Sequence, residues 1–170
     1  TELATHAPTS SGGQYYNSTS AADTETPVFW TRLRQGFRLS GTQQAAVSKR
    51  ANEYGRNARQ VERIFKRGEP YLAYIYEEVK KRNFPTELVL LPFVESGYAP
   101  FAYSHGRPAG LWQFIPGTGK MYGLKPDWWY DGRRDIVEST QAALNYLDYL
   151  QQRFDGDWLL AIAAYNSGSG

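Results

Sequence analysis

The chain has 170 residues, which is enough for one domain with a substantial core. It contains 0 Cys and 2 His, so a thiol nucleophile, a disulfide framework and a zinc cluster of His and Cys are excluded. A formal net charge of +2 gives no basis for nucleic-acid binding, and carboxylate chemistry is what remains for catalysis.

Residues 1–25 are rich in Ser, Thr, Ala and Gly and contain almost no aliphatic side chains. Such a segment cannot bury enough apolar surface to order itself, so we predict a flexible leader before one domain over residues 26–170. No apolar run approaches membrane-spanning length, and no signal peptide is evident. Because the chain opens at Thr1 and not at a methionine, we expect a processed form or a fragment.

Helical spacing of apolar residues dominates the first part of this domain. Helices are predicted to begin at Thr26-Pro27, to run from Thr42 to Tyr54, to run from Asn57 to Gly68, and to start again at Pro70. The last two are separated in this prediction because Gly and Pro disfavour a helix interior. No convincing strand alternation occurs anywhere, so the predicted fold class is all-α.

The stretch over residues 86–114 contains the main candidate catalytic group. A helix capped by Thr86 is predicted to place Leu88, Leu91 and Glu95 on one face, because residues three and four apart are neighbours. A carboxylate on the core-facing side of a helix must find hydrogen bonds or raise its pKa. A glutamate with a raised pKa can stay protonated near neutrality and donate a proton.

Pro92 and Gly97 decide where this helix ends. Pro92 is predicted to kink it and Gly97 to terminate it, which delivers Glu95 and Ser96 at a helix C-terminus beside a loop. An acid in this position is typical of the lip of a cleft. A glutamate that only pairs with an arginine is the other interpretation, and local sequence leaves both open.

The rest of the chain alternates loops and helices. The prediction is irregular structure from Tyr98 to Ala109, a helix from Pro116 to Tyr122, and a loop at Trp128–Tyr130 whose rings either line a cleft or, as we favour, plug the core. Asp135 is predicted to cap the longest helix. Asp157 is predicted to cap a segment so apolar that it should be the most buried helix.

Four signals occur in one order: Glu95-Ser96, Ser104 in a loop, Gly110-Leu111-Trp112-Gln113, and Ala164-Tyr165-Asn166. This ordered set resembles the catalytic domain of the family 1 lytic transglycosylases, which cut bacterial peptidoglycan. The residues within its motifs are most similar to those of the membrane-bound D branch. The resemblance covers roughly residues 26–170. It implies an all-α, lysozyme-like fold with a groove for a glycan strand, and it implies no metal and no cofactor.

The resemblance also implies a role for each matching position. Glu95 matches the single acid/base of the family, and Ser96 matches the serine that supports it. Ser104 and Gln113 match residues that line the saccharide groove. Tyr165 matches a tyrosine that hydrogen-bonds the catalytic carboxyl, and Asn166 matches a residue that touches sugar.

Compartment and partners follow from the resemblance alone. The family is exported to the bacterial cell envelope and is often tethered to the outer membrane by a lipid, and the D branch carries LysM modules after its catalytic domain. Neither feature occurs in these residues, so we expect a chain trimmed before such modules. We expect a periplasmic monomer that binds peptidoglycan glycan strands and no nucleic acid, with membrane contact only through an anchor outside this chain.

Three functions remain to be separated. In the first, Glu95 acts alone, as acid and then as base, and closes a 1,6-anhydro ring on N-acetylmuramic acid. In the second, a hydrolase of the lysozyme or chitinase type uses water and a second carboxylate. The candidates for that second group are Glu87, Asp131, Asp135 and Glu138, with Asp131 the open one. The third is a peptidoglycan-binding module without turnover. We predict the lytic transglycosylase, because a pure binder gains little from an acid on an apolar face.

Overall fold

A computed structural model describes residues 27–40, 45–102 and 108–167. The predicted leader and Ser104 lie outside these ranges. The α-helices are α1 (Pro27–Gln35), α2 (Ala45–Arg56), α3 (Ala58–Lys81), α4 (Leu91–Ser96), α5 (Pro116–Met121), α6 (Ile136–Arg153) and α7 (Trp158–Ser167). Two 3-10 helices cover Thr86–Leu90 and Gly132–Arg134. Within the described ranges the only β-structure is two isolated bridges, Ala109 with Phe114 and Pro126 with Asp131, so the all-α prediction is confirmed.

The core of the described residues lies between α3 and α6. Side chains at helical spacing on α3 and α6 are fully buried there: Leu72, Ile75, Val79, Leu144, Leu147 and Leu150. The 3-10 helix Thr86–Leu90 packs on α3, and α1 packs on that 3-10 helix. Each of these buried side chains contributes about 1.5–3 kcal/mol relative to an exposed one.

Helix α1 begins at Pro27 as predicted, but Thr86 does not cap the helix that follows it. The Thr86 hydroxyl donates a hydrogen bond of 2.6 Å to the carbonyl oxygen of Leu33, the last residue but two of α1. Thr86 is therefore buried as a tie between α1 and the 3-10 helix. The cap prediction was wrong because a tertiary partner took the hydroxyl.

Helix α3 runs through both predicted breakers. Gly68 and Pro70 lie inside its 24 residues, which makes α3 longer than the helix that Asp135 caps. A Cβ at position 68 would come within 2.7 Å of the Tyr98 ring, so the glycine is needed for close packing and not for a turn. Burial of the following turns of α3 outweighs the hydrogen bond that Pro70 cannot donate.

Two smaller predictions near α2, the helix stop at Gly55 and the side-chain cap at Asn57, are wrong. Gly55 lies within α2, which ends at Arg56. The Asn57 side chain makes no capping hydrogen bond to α3; its amide donates to the carbonyl oxygen of Glu53 at 3.2 Å. Helix α2 therefore ends two residues after Tyr54, and α3 begins just after Asn57, where the sequence predicts it, without the side-chain cap.

The predicted caps of the last two helices are confirmed. An oxygen of Asp135 accepts from the backbone N–H of Glu138, and an oxygen of Asp157 accepts from Leu159 and Leu160. The predicted burial of α7 is wrong, because Leu159 is 46% and Leu160 is 51% exposed. Helix α7 packs on α6, and Leu159 and Leu160 lie on a partly exposed face of α7.

The Trp128–Tyr130 loop does not plug the core. Trp128 is 93% exposed and Trp129 is 71% exposed. Their rings stand 6.4 Å apart on the surface, with an angle of 66° between the ring planes. Leu124 and Trp112 are buried in the core, whereas the two indoles of this loop are not.

Candidate active site

Glu95 is presented by two short helices joined end to end. The 3-10 helix Thr86–Leu90 continues directly into α4, and Pro92 lies in the first turn of α4, where its missing N–H costs nothing. The predicted kink is therefore a change from 3-10 to α geometry. Gly97 ends α4 in the left-handed conformation, with φ of 57°, as predicted. Glu95 consequently lies in the last turn, beside the chain's exit from the helix.

A pocket of about 380 Å³ opens in front of Glu95. Its walls come from the end of α4, from the segment that leads into α5, and from α6 and α7. The lining residues are Glu95, Pro108, Gln113, Phe114, Ile115, Thr118, Tyr146, Tyr165, Asn166 and Ser167. Glu95 is the only carboxylate among them. The pocket is thus a mostly apolar and amide-lined cleft with one acid at its wall.

The carboxyl group of Glu95 is partly buried and poorly satisfied. Its Oε1 atom is inaccessible to solvent and accepts no hydrogen bond within the described residues. Burial raises the pKa of Glu95, because the charged form loses hydration that no donor replaces. This is the shift that the helical pattern predicted. It favours a protonated acid closer to neutral pH than a surface glutamate allows.

A tight turn from Gly110 to Phe114 forms the floor of this pocket. Ala109 and Phe114 exchange two backbone hydrogen bonds of 3.1 Å across the turn. Gly110 has φ of 81°, and a Cβ there would meet the carbonyl oxygen of Arg133 at 1.7 Å. Gln113 also adopts a positive φ of 49°, an uncommon conformation that costs free energy for a residue with a side chain. The turn therefore requires glycine at position 110, and contacts elsewhere must offset the strain at Gln113.

Three side chains fasten the turn to three helices. The Ser96 hydroxyl at the end of α4 donates to the Leu111 carbonyl oxygen at 2.8 Å. The indole N–H of buried Trp112 donates to Thr140 Oγ1 of α6 at 3.0 Å. The Tyr165 hydroxyl of α7 donates to the Trp112 carbonyl oxygen at 2.8 Å. The position of the turn relative to Glu95 is set by these bonds.

Three of the predicted binding residues line the pocket. These are Gln113, Tyr165 and Asn166, of which Gln113 also donates to the Gly110 carbonyl oxygen at 2.9 Å. Ser96 is absent from the lining, and its hydroxyl is directed to the turn. Ser104 lies outside the described residues.

The hydrogen bond predicted between Tyr165 and Glu95 is replaced by another. The Tyr165 hydroxyl donates to the Trp112 carbonyl oxygen, so it holds the turn and not the carboxyl. Burial raises the pKa of Tyr165 well above its usual range, and the charge of Glu95 raises it further. The two groups therefore interact electrostatically across the pocket.

Sequence reasoning missed Tyr146, Thr118 and Phe114. Tyr146 is buried and stands 5.4 Å from the Tyr165 ring, centroid to centroid. It lies three residues after Ala143 and four before Leu150, so helical spacing already placed it on the inward face of α6. For Thr118 no such signal exists, since its place depends on how the turn feeds α5.

The candidate second carboxylates are all engaged outside this pocket. Asp131 pairs with Arg133 at 2.7 Å, and that guanidinium holds the Asp131 pKa below its usual range. Glu87 accepts the backbone N–H groups of Arg38 and Leu39. Asp135 caps α6, and Glu138 accepts from the Tyr130 hydroxyl. None of the four lines the pocket of Glu95.

Within the described ranges, no group of three or more His, Asp or Glu side chains could hold a metal ion. The same residues include no helix with the length and apolar character needed to cross a bilayer.

Comparison with known proteins gives one consistent family. The model of the transglycosylase SLT domain matches residues 72–170, more than half of the chain. Membrane-bound lytic murein transglycosylase D of Escherichia coli (strain K12) is 47% identical over 141 residues, which are 83% of this chain and 31% of that protein. The protein of the same name from Escherichia coli O6:H1 (strain CFT073) matches to the same extent.

A more distant relative is peptidoglycan transglycosylase gp16 of Escherichia phage T7, 39% identical over 82 residues, which are 46% of this chain and 6% of that protein. The chain spans 31% of the length of the transglycosylase D relatives. On the matched residues and the identity to these relatives, the chain belongs to the transglycosylase SLT domain family.

Proposed function

We propose that this chain is the catalytic domain of a peptidoglycan lytic transglycosylase, with Glu95 as its single acid and base. The observation that carries the proposal is that, among the described residues, Glu95 is the only carboxylate lining the pocket, and that its buried Oε1 finds no hydrogen-bond partner among them while its pKa is raised. The names of the relatives, which specify murein or peptidoglycan, support the substrate. The bond cleaved would be the β-1,4 linkage from N-acetylmuramic acid to N-acetylglucosamine.

Protonated Glu95 begins the reaction. It donates its proton to the glycosidic oxygen, the bond from C1 of the muramic acid to that oxygen breaks, and the N-acetylglucosamine leaves with a new hydroxyl. The positive charge that develops at C1 is stabilised by the acetamido group of the same sugar. The raised pKa of Glu95 serves this step, because it increases the fraction of acid available near neutral pH.

Ionised Glu95 completes the reaction. It takes the proton of the C6 hydroxyl, and the C6 oxygen bonds to C1 to form the 1,6-anhydro ring. The carboxyl ends the cycle protonated, so no second carboxylate, metal or cofactor is consumed. An intramolecular hydroxyl competes well with water because its effective concentration is high.

Five further side chains support this chemistry in the proposal. Gln113, Tyr165 and Asn166 contact the sugars from the pocket wall. Tyr165 also holds the turn in position relative to Glu95 through its hydrogen bond to Trp112. Ser96 acts through the turn that it holds, and not through the sugar. Ser104 lies outside the described residues, and its contact with the saccharide stays a prediction. We also propose a location in the bacterial envelope, on the periplasmic side, because peptidoglycan is the proposed substrate.

The product of digestion tests the proposal. Purified peptidoglycan is incubated with the protein, and the released muropeptides are measured by mass spectrometry before and after borohydride reduction. A lytic transglycosylase yields fragments one water lighter than hydrolytic ones, and these gain no hydrogen on reduction. Fragments that gain two hydrogens would mean hydrolysis, with Asp131 the first group to re-examine. A complete lack of fragments would favour a binding module.

A further inference from the structure

The loop around Trp128 and Trp129 holds two exposed indoles in a built turn. An oxygen of Asp127 accepts the backbone N–H of Trp129 at 2.9 Å and that of Tyr130 at 2.8 Å. The Asp127 N–H donates to the Tyr130 carbonyl oxygen at 2.7 Å, and Pro126 bridges to Asp131. The two indole rings thus project into solvent from a hydrogen-bonded turn, which we call the frame. The backbone of this frame keeps the rings exposed.

The frame is also anchored to the rest of the domain. The Tyr130 hydroxyl donates to Glu138 of α6 at 2.9 Å. Arg133 pairs with Asp131 and donates to the Phe114 carbonyl oxygen at 3.2 Å. The loop is therefore fixed to both α6 and the turn that forms the floor of the catalytic pocket.

A cleft of about 530 Å³ lies against these indoles. Phe101, which is 77% exposed, forms another part of its wall, and Arg134 and Asp135 contribute polar groups. Phe101 precedes Ala102, whose carbonyl oxygen accepts from the N–H of Gly110 at 3.1 Å. The cleft and the catalytic pocket therefore adjoin the same connection between α4 and the turn, and they share no lining residue. We call Phe101, Trp128 and Trp129 the aromatic platform.

The chemistry of the cleft matches a neutral sugar better than a charged surface. Flat indole faces can pack on the C–H faces of a pyranose ring, and carboxylate oxygens can accept from its hydroxyl and amide groups. Residues 125–138 contain four carboxylates and three cations. Such a balance lacks the excess of Lys and Arg that anionic lipid or nucleic acid requires.

We infer that the cleft beside the aromatic platform is a second saccharide site, which binds an N-acetylhexosamine stretch of a glycan strand outside the catalytic pocket. The identity of the polymer rests on the proposed function. Two sites on one strand make the second contact intramolecular, which strengthens attachment to a polymer far more than to a short fragment. The platform would keep the domain on its strand between cleavages.

Binding without turnover tests the inference. In a Glu95→Gln background, the double substitution Trp128→Ala and Trp129→Ala is compared with the parent for co-sedimentation with purified sacculi and for calorimetric binding of chitohexaose. Loss of two large aromatic contacts should weaken binding to sacculi by about tenfold or more. The matched control is Leu159→Ala with Leu160→Ala, which removes two exposed apolar side chains of α7 and should leave binding unchanged.

Each outcome decides one question. Unchanged binding of sacculi by the double tryptophan variant overturns the second site. Weaker binding to vesicles of phosphatidylethanolamine and phosphatidylglycerol, with sacculus binding intact, overturns it in favour of a membrane contact. If the unmodified protein releases no muropeptides while sacculus binding still depends on the tryptophans, the proposed catalysis fails and the saccharide site stands.

Discussion

Replacing Glu95 by glutamine should abolish turnover and at the same time stabilise the fold. The amide has the same shape but cannot transfer a proton, and losing general acid–base catalysis typically costs 10²–10⁴-fold, or about 3–5 kcal/mol at the transition state. The stabilisation follows from the buried oxygen of Glu95, which accepts no hydrogen bond within the described residues. An ionised carboxylate there is a cost that the neutral amide removes.

The sign of the pH dependence follows from the direction of the shift. The pKa of Glu95 is raised above its ordinary value of 4.5, so the native protein holds this proton more tightly than the unfolded chain does. The contribution of this proton to the stability of the native protein is complete below the ordinary pKa, and it is lost as the pH rises through the raised pKa. As the pH rises through that window, the unfolding free energy of the Glu95→Gln variant should therefore increase relative to that of the wild type. The increase should be about 1.4 kcal/mol for each pH unit by which the measured pKa of Glu95 is raised.

Two measurements check this prediction together. Muropeptide release gives the loss of activity, and denaturant unfolding from pH 4 to pH 8 gives the difference in unfolding free energy. Glu62→Gln on the exposed side of α3 is the control, since it makes the same chemical change away from the pocket. Retention of more than about a tenth of wild-type activity would remove Glu95 from catalysis. A stability difference that does not change with pH would refute the burial argument.

Two other substitutions probe the turn below the pocket. Tyr165→Phe keeps the ring but leaves the Trp112 carbonyl oxygen without the Tyr165 donor. The unfolding free energy should therefore fall by about 1–3 kcal/mol, and kcat should fall more than KM rises. Unchanged kinetics would refute the link between the turn and the carboxyl group of Glu95. Gly110→Ala places a Cβ 1.7 Å from the Arg133 carbonyl oxygen and should cost more than the roughly 1–2 kcal/mol of a left-handed alanine, with loss of activity. Gly123→Ala has a similar φ but nothing within 4 Å, and equal melting temperatures for the two alanine variants would show that the clash does not exist.

The sequence predicted the parts of this molecule that local chemistry controls. Helix caps at Asp135 and Asp157, the helix end at Gly97 and the inward face of Glu95 all follow from interactions within one or two turns of chain. These features need no knowledge of what packs against them. Glu95 could be singled out for the same reason, because helical spacing alone places it beside Leu91 and Leu88.

The failures share a different cause. Local composition predicts a helix stop at Gly68, yet the Tyr98 ring, 30 residues further along the chain, is what requires a glycine there. The size of Trp128 and Trp129 favours burial and predicts a core plug, but both indoles are exposed. The resemblance predicts that the Tyr165 hydroxyl bonds the carboxyl of Glu95, but in the assembled turn it donates to the Trp112 carbonyl oxygen. Partners distant in the chain decided the outcome at Gly68 and at Tyr165.

The three side-chain hydrogen bonds that hold the turn from Gly110 to Phe114 also determine when the pocket can form during folding. They join residues 15, 28 and 53 positions apart in the chain, so none can form until distant segments have met. The most distant tie depends on α7, whose leucines at 159 and 160 remain half exposed and add little to its docking. Native-state hydrogen exchange should consequently find α7 among the first units to open, and each opening would dismantle the pocket while the α3–α6 core stays folded. Activity would then be lost on heating before global unfolding begins.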